Sequence, residues 1–295
     1  MAGKPPNRMS AAEFRDWAHK GITLLGMSGV GKTTLAARLP RALWFHYSGD
    51  YRIGTRYLSE SINDGLKKQA MRVPALAELL RTDSIYIHHN ITVDNLAPMS
   101  DFLGMPGDTA RGGLSVDEFK RRLELFRRAE TRAMYDVREF IHKAEDIYAY
   151  RHFLNDAGGS LCELDDEALF ERLAEDTLIV YLRAPEEMIE ALLLRAQSQP
   201  KPLYYLPHFL DDSLAAFLAE RGLGSAEQID PPEFVRWVFP RLVAHRLPRY
   251  QRIADRWGVT IDARELARVE GEEDFIELVC AALQTAQRLR AGAGD

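Results

Sequence analysis

Apolar and polar residues follow one another along this chain in blocks that predict strands and helices in turn. Five short apolar runs predict strands at residues 22–25, 42–47, 151–155, 177–182 and 259–262. Between these runs, apolar residues recur every three or four positions, as on one face of a helix. The predicted helices cover residues 10–19, 33–39, 67–80, 115–133, 136–148, 167–174, 185–196, 211–221, 231–257 and 272–289. Such alternation is typical of an α/β fold, a parallel sheet covered on both faces by helices.

Residues at the helix ends refine these boundaries. Ser10 precedes the first helix, and Glu13 stands three residues later, as in a capping box. Pro74 should interrupt the helix predicted at 67–80, and Pro248 should break the long helical stretch after residue 231, because proline lacks a backbone N–H.

Three segments have no clear helical pattern. Residues 95–113 and 197–208 contain several Pro, Gly or Asp residues, which predicts loops. Residues 84–91 suit a strand and a helix equally well.

The second and third predicted strands are separated by about a hundred residues, far more than a connecting loop usually has. This separation predicts a large, mostly helical insert between strands 2 and 3. The expected domains are therefore an N-terminal extension with a short helix at 1–20, a core at 21–57 and 150–290, an acceptor-binding insert at 58–149, and a flexible tail at 291–295.

The most informative motif is Gly-Met-Ser-Gly-Val-Gly-Lys-Thr-Thr at residues 26–34, which fits the phosphate-binding P-loop G-x-x-x-x-G-K-[ST]. A predicted strand precedes it and a predicted helix follows it, as that motif requires. Glycines let the backbone N–H groups approach an anion closely, and the helix N-terminus adds partial positive charge. The predicted nucleotide contacts are Gly26, Ser28, Gly29, Val30, Gly31, Lys32, Thr33 and Thr34.

Two side chains of this motif have specific predicted roles. Lys32 can reach the β- and γ-phosphates and is expected to act in catalysis, and the Thr33 hydroxyl can bind Mg²⁺. The expected cofactors are therefore ATP and Mg²⁺. The sequence contains no motif that distinguishes ATP from GTP.

Composition narrows the possible partners. The net charge is -6, which argues against broad electrostatic binding to nucleic acid. No apolar run approaches the length of a membrane span, and the first nine residues lack the apolar region of a signal peptide. The two cysteines, Cys162 and Cys280, have no metal-ligand spacing. We therefore expect a cytoplasmic protein without membrane partners.

Two acidic residues follow predicted strands at the edge where ligands of parallel sheets bind. Asp156 ends strand 3 and is a candidate Mg²⁺ ligand, direct or through water; the alternative is a turn or helix cap. Asp50 follows strand 2 and is a candidate general base for an acceptor hydroxyl; the alternative is an Asp in a Gly-Asp turn.

Basic residues near these positions suit anionic groups. Arg52 and Arg56 lie four residues apart and would share one face of a helix, either to bind an anionic acceptor or as a solvated pair. Arg195 and Lys201 flank a Pro-rich segment that could close over ATP as a lid, with Arg195 stabilising the transition state.

Two further features have both functional and structural interpretations. The helix predicted at 115–133 carries many basic residues, which suit a phosphorylated or polymeric acceptor, but its interleaved glutamates are typical of a solvated face. The pair His88-His89 suggests a metal site, but no Cys or carboxylate partner stands at ligand spacing.

Arg246, Arg249 and Arg252 are interpreted as partly structural, in ion pairs with nearby acids.

Together these motifs resemble P-loop kinases of the shikimate kinase and nucleoside monophosphate kinase group. The resemblance rests on the P-loop, on Asp50 with the arginines after it, on the glycine-rich run Asp156-Ala157-Gly158-Gly159, on the strand and helix at 178–195, and on residues 249–262. It covers residues 20–57 and 150–290 and leaves out the insert, where acceptor choice should reside.

The resemblance implies a P-loop NTPase fold with a five-stranded parallel sheet in the order 2-3-1-4-5. It also implies transfer of the γ-phosphate of ATP to a hydroxyl or phosphate of a small molecule. Acceptor binding is then expected at Asp50, Arg52, Arg56, Gly158 and Gly159. Three alternatives stay open. One is a kinase that acts on a nucleotide or a hydroxyl within nucleic acid, and another is a regulatory ATPase switch that binds a protein. The third is a nucleotide-binding module without catalysis, in which Asp50 and Asp156 are structural.

Overall fold

The computed structural model describes residues 5–292, and the strands in this range form a single five-stranded sheet. Its order is β2-β3-β1-β4-β5, and each pair of neighbours is parallel, which confirms the predicted fold class. The parts of the expected extension and tail at residues 1–4 and 293–295 lie outside the described residues. The strands are β1 (Gly21–Leu25), β2 (Trp44–Ser48), β3 (His152–Asp156), β4 (Leu178–Arg183) and β5 (Gly258–Asp262).

Helices connect the strands. They are α1 (Ala11–Asp16), α2 (Lys32–Arg38), α3 (Gly49–Arg52), α4 (Ser59–Ala70), α5 (Pro74–Arg81), α6 (Ala97–Leu103), α7 (Val116–Tyr135), α8 (Val137–Asp146), α9 (Glu167–Asp176), α10 (Glu186–Ser198), α11 (Pro207–Arg221), α12 (Pro231–Trp257) and α13 (Glu272–Gly292). A π-helical turn, Ile53–Tyr57, continues α3. None of the helices in the described range is long and apolar enough to cross a membrane.

The predicted capping box at α1 is present. The Ser10 hydroxyl accepts a hydrogen bond from the Glu13 backbone N–H, and the Glu13 carboxylate accepts one from the Ser10 N–H in return. Both bonds satisfy N–H groups that a helix start leaves without an intrahelical partner.

Proline explains most of the differences between predicted and observed helices. The predicted interruption at Pro74 is confirmed: α4 ends at Ala70, and Pro74 begins α5 at a position where no N–H is needed. The predicted loop 95–113 contains α6, which also has a proline in its first turn. The predicted break at Pro248 is wrong: α12 runs through it, and the complete burial of Tyr250 supplies packing that offsets the lost hydrogen bond.

The last open segment, residues 84–91, forms neither a strand nor a helix. Two polar groups of His89 are hydrogen-bonded to α4 instead: the backbone N–H donates to Asn63 Oδ1, and ring Nε2 lies 2.8 Å from the Ser59 hydroxyl. These bonds satisfy buried polar groups that regular secondary structure would otherwise satisfy.

The chain divides into two compact units. The first comprises Met1–Gly49, Met134–Ser198 and Phe239–Asp295 and contains the sheet; the second comprises Asp50–Ala133 and Gln199–Val238. This division differs from the predicted domain ranges at both ends of the insert. Residues 134–149, predicted in the insert, belong to the first unit, and residues 50–57 and 199–238, predicted in the core, belong to the second.

Aromatic packing accounts for two of these differences, those at residues 134–149 and 199–238. In the first unit, Phe140 of α8 packs on Tyr47 of β2, with ring centroids 5.0 Å apart. In the second unit, Tyr205 packs against Phe119 of α7 at 6.0 Å. Such contacts between segments distant in sequence are not visible in a local hydrophobic pattern.

Helices cover both faces of the sheet within the first unit. Trp44 and Tyr47 lie on opposite faces of β2, because side chains alternate along a strand. Phe275 of α13 packs against Trp44 with ring centroids 6.1 Å apart, and Phe140 of α8 packs against Tyr47. The carboxyl ends of the strands, where the predicted site lies, are thereby held on a rigid layer.

Candidate phosphate-binding site

The P-loop connects β1 to α2 and depends on its glycines. Gly26, Gly29 and Gly31 have φ values of +148°, +90° and +99°, which residues other than glycine rarely adopt. A Cβ atom at Gly26 would lie 2.8 Å from the Leu182 carbonyl oxygen, and one at Gly29 would lie 2.9 Å from Leu192 Cδ2. The glycines thus leave a concave surface of backbone atoms that side chains at these positions would occupy. Such a surface can surround a phosphate group.

Lys32, the first residue of α2, points into this loop. Its ammonium donates hydrogen bonds to the carbonyl oxygens of Gly26 at 2.8 Å and Met27 at 3.0 Å. The residue is 7% exposed. Because hydrogen bonds satisfy the buried ammonium, the cation is held in place within the loop.

Asp156 is the last residue of β3, beside the loop. It is 8% exposed, and its Oδ2 accepts a hydrogen bond from Thr33 Oγ1 at 2.7 Å. Burial alone would raise the pKa of Asp156, but His46, the charge of Lys32 and the Thr33 hydroxyl together hold that pKa below its usual value. The carboxylate is therefore ionised at neutral pH.

The structure thus brings together Thr33 and Asp156, the two predicted Mg²⁺ ligands. A hydroxyl and a carboxylate are hard oxygen donors of the kind Mg²⁺ prefers, so this pair fits the ion that the P-loop motif implies. The register explains the contact, because Asp156 stands opposite Leu24, one residue before the end of β1.

His46 belongs to the same site but was missed in the sequence. Its Nε2 lies 3.6 Å from Asp156 Oδ2, and its side chain is 29% exposed. Ser48 of β2 stands opposite Asp156, and His46 lies two residues before Ser48, so it shares that face of the sheet. The pairing of β2 with β3, combined with this alternation, is the signal that could have identified it.

Arg195, the predicted lid arginine, lies near the P-loop. Its Nη1 is 3.6 Å from the position that a Cβ atom of Gly29 would occupy. Arg195 is exposed at the end of α10, within the first unit. A guanidinium next to the loop can stabilise negative charge on a bound phosphate. Lys201, the other predicted lid cation, belongs to the second unit.

The predicted acceptor residues lie in two places. Gly158 and Gly159 follow β3 in the first unit, and a Cβ atom at Gly159 would lie 2.8 Å from the hydroxyl of Ser28 in the P-loop. Asp50, Arg52 and Arg56 belong to the second unit. The acceptor-binding role of all five residues stays a prediction.

Asp50 lies in a helix, since α3 begins directly after β2, so the alternative of a simple Gly-Asp turn is wrong. The Arg52 guanidinium lies 5.6 Å from the ring centroid of Tyr57, within the range of a cation–π contact. Arg56 falls in the π-helical turn Ile53–Tyr57, and its side chain is exposed.

The basic helix α7 pairs its charges along its own surface. Glu118 accepts hydrogen bonds from Arg121 and Arg122, and Glu124 does so from Arg127 and Arg128, at 2.6–2.9 Å. Hydrogen bonds from these arginines lower the pKa of both glutamates to about 2. This pattern favours the solvated face over an open phosphate-binding surface.

A solved structure of shikimate kinase from Bacteroides thetaiotaomicron is similar to this protein, with 17% sequence identity and a TM-score of 0.38, covering 92% of this chain and 98% of that one. No protein-family model matches the sequence, and no curated protein does.

Proposed function

We propose that this protein is a phosphotransferase that uses ATP and Mg²⁺ to phosphorylate a small molecule. The observation that carries the proposal is the 2.7 Å hydrogen bond between the Thr33 hydroxyl and the Asp156 carboxylate, beside Lys32 in a glycine-dependent P-loop. An ionised carboxylate, a hydroxyl and an ammonium at one loop suit the phosphates and metal ion of a nucleoside triphosphate.

Each residue has a proposed part in the reaction. The loop backbone and Lys32 bind the phosphates, and Thr33 and Asp156 hold Mg²⁺, which neutralises phosphate charge when bound. Arg195 stabilises the charge of the transferring group from the side of Gly29. Asp50 accepts the proton of the acceptor hydroxyl.

The acceptor in this proposal is a small molecule with a hydroxyl or phosphate group. Gly158 and Gly159 of the first unit contribute close backbone contacts to it. The positive charge that the sequence predicts from Arg52 and Arg56 of the second unit stays a prediction. A nucleic-acid acceptor is less well supported, because the net charge is -6 and the arginines of α7 are paired with glutamates.

A cytoplasmic location also belongs to this proposal. Cys162 and Cys280 are both buried and form no disulfide with each other, which suits a reducing compartment. A thiol in that setting needs no partner cysteine.

The test follows γ-labelled ATP. The protein is incubated with Mg²⁺ and labelled ATP, with a metabolite extract in one reaction and nucleic acid in another. Lys32→Ala should abolish transfer, since it removes the phosphate-binding ammonium. Lys143→Ala, an exposed lysine of α8 in the same unit, is the matched control and should retain transfer.

The outcomes separate the candidate functions. A labelled small molecule that depends on Lys32 would support the proposal, and mass spectrometry would then identify the acceptor. Label in nucleic acid would favour the second kind of kinase. Label released only as free phosphate, at a rate that no acceptor changes, would overturn the kinase proposal in favour of a regulatory ATPase.

A further inference from the structure

One face of α12 holds the segment that follows β3, residues 158–165, here called the β3 segment. The Tyr250 hydroxyl donates a hydrogen bond to the Gly159 carbonyl oxygen. Arg246 Nη2 donates to Glu163 Oε2 at 2.7 Å. Since residues four apart on a helix lie on the same side, Arg246 and Tyr250 both donate hydrogen bonds to this segment from one face of α12. All of these residues belong to the first unit.

Arg249, on the same face, adds a contact at the end of the β3 segment. Its Nη1 donates to Asp165 Oδ1 at 2.5 Å. The contact agrees with the structural interpretation of Arg246 and Arg249 made from the sequence.

Tyr250 is itself fixed in place. Its side chain is fully buried and stacks on Tyr181 of β4, with ring centroids 5.4 Å apart and planes inclined by 19°. Burial raises the pKa of Tyr250 well above its usual value, and an interaction with the Cys162 thiol raises it further. The hydroxyl therefore stays protonated and remains a hydrogen-bond donor.

On its other side, the β3 segment touches the P-loop. A Cβ atom at Gly159 would lie 2.8 Å from Ser28 Oγ and 3.0 Å from Ser28 N, so only a glycine allows the two backbones to approach this closely. Gly159 is thus held between the Tyr250 hydroxyl and Ser28. A hydrogen bond to a carbonyl fixes both its distance and its direction, which ring packing alone does not.

We propose that Tyr250 is a positioning residue, whose hydroxyl holds Gly159 against Ser28 and so fixes the β3 segment relative to the P-loop. Its catalytic consequence rests on the proposed function, in which Gly158 and Gly159 contact the acceptor. Loss of this hydrogen bond leaves the phosphate cradle intact, because β1 and α2 form that cradle. It loosens the acceptor side of the site.

Cys162 gives a direct test that needs no activity. It lies in the β3 segment and is 2% exposed, and the sequence has only one other cysteine, Cys280. In a Cys280→Ser background, we expect Tyr250→Phe to speed labelling of Cys162 by a thiol reagent about tenfold, because one hydrogen bond no longer opposes opening of the segment. Tyr181→Phe is the matched control, since it keeps the ring stack and the Tyr250 hydroxyl, and should stay within about twofold.

The second measurement uses phosphoryl transfer by the full chain. We expect Tyr250→Phe to lower kcat about tenfold while the Kd for ATP with Mg²⁺ changes by less than about twofold. A general loss of folded protein would reduce both in step, so the divergence of the two constants identifies positioning.

A second variant keeps the proposal testable if Tyr250→Phe does not fold. Gly159→Ala places a methyl group where Ser28 now lies, which pushes the β3 segment away from the P-loop. Labelling of Cys162 should then also accelerate about tenfold. Unchanged labelling in this variant would overturn the proposal.

The results distinguish this inference from the proposed function. Labelling of Cys162 in Tyr250→Phe at the wild-type rate would overturn the positioning role, whatever the protein phosphorylates. Faster labelling in a protein that binds no ATP would support the contact between Gly159 and Ser28 and overturn the proposed phosphotransferase. Faster labelling together with a lower kcat would support both.

Discussion

Two buried charge clusters of the first unit contain the same types of residue. One consists of Asp156, with Lys32 and His46 near it; the other consists of Glu163, with Arg246 and His245. In both, a histidine nitrogen lies 3.6–3.8 Å from a carboxylate oxygen that is largely or completely buried. Residue types alone therefore do not tell which cluster serves a ligand.

The cation makes the difference. Arg246 donates directly to Glu163 at 2.7 Å, so the two charges neutralise each other where no solvent reaches the carboxylate. Lys32 donates to carbonyl oxygens of the P-loop, and Asp156 is bonded to the Thr33 hydroxyl instead. In the first arrangement the cation and the carboxylate are joined directly, and in the second each is hydrogen-bonded to the P-loop or to the helix that follows it.

The largest expected effect is the loss of stability in Arg246→Ala. Removing the cation leaves Glu163 buried without its ion pair, which costs about 3–5 kcal/mol. Urea denaturation of both proteins measures the difference in the free energy of unfolding. Arg256→Ala on the same helix is the control, because its pair with Glu167 is exposed and is worth at most about 1 kcal/mol.

A small loss in Arg246→Ala would contradict the proposed distinction between the clusters. A cost equal to that of the control would mean that Glu163 finds another partner or takes up a proton. The Glu163 cluster would then contribute no more to the free energy of unfolding than the Asp156 cluster does.

The sequence was sufficient where the relevant residues are neighbours along the chain. The P-loop occupies nine consecutive residues and was therefore predictable. The strand order was predictable from the resemblance of the sequence to P-loop kinases. Asp156 was predictable as well, because an acid at the end of a buried strand is a local signal.

Contacts between distant segments were not predictable in this way. His46 requires knowledge that β2 pairs with β3, and the hydrogen bond from Tyr250 to Gly159 joins residues 91 positions apart. The second unit combines two separate stretches of chain, which a pattern of hydrophobic positions does not connect. The continuous α12 shows the same limit, because tertiary packing outweighs the preference of a proline to end a helix.

The next largest effect concerns magnesium. Asp156→Asn keeps the shape of the side chain and an acceptor for the Thr33 hydroxyl but removes the negative charge. We therefore expect the factor by which Mg²⁺ strengthens ATP binding to fall about 10–100-fold. Calorimetric titration of ATP at a series of Mg²⁺ concentrations measures it. Asp255→Asn, an exposed acid of α12, should leave the titration unchanged.

A smaller effect is expected when His46 is replaced. His46→Ala removes the side chain that faces Asp156 but no direct ligand, so the Mg²⁺ dependence should weaken by about three- to tenfold. Binding of ATP without Mg²⁺ should stay unchanged, since Lys32 and the loop backbone are intact. An equal loss with and without Mg²⁺ would place His46 outside the metal site, and His19→Ala, at an exposed histidine, controls for the substitution itself.

The smallest effect is a dependence of stability on pH that we expect Asp156 to contribute. The pKa of Asp156 in the folded protein lies below the ordinary 3.8, because its partners outweigh the effect of burial. Such a group adds stability that is fully present above its unfolded pKa and is lost as the pH falls through the folded pKa. The difference in unfolding free energy between wild type and Asp156→Asn, measured without nucleotide or Mg²⁺, should be constant above about pH 5 and shrink below pH 4. A difference that grows on acidification would mean that the folded site favours the protonated acid, and Asp156 would then not be an ionised carboxylate suited to a cation.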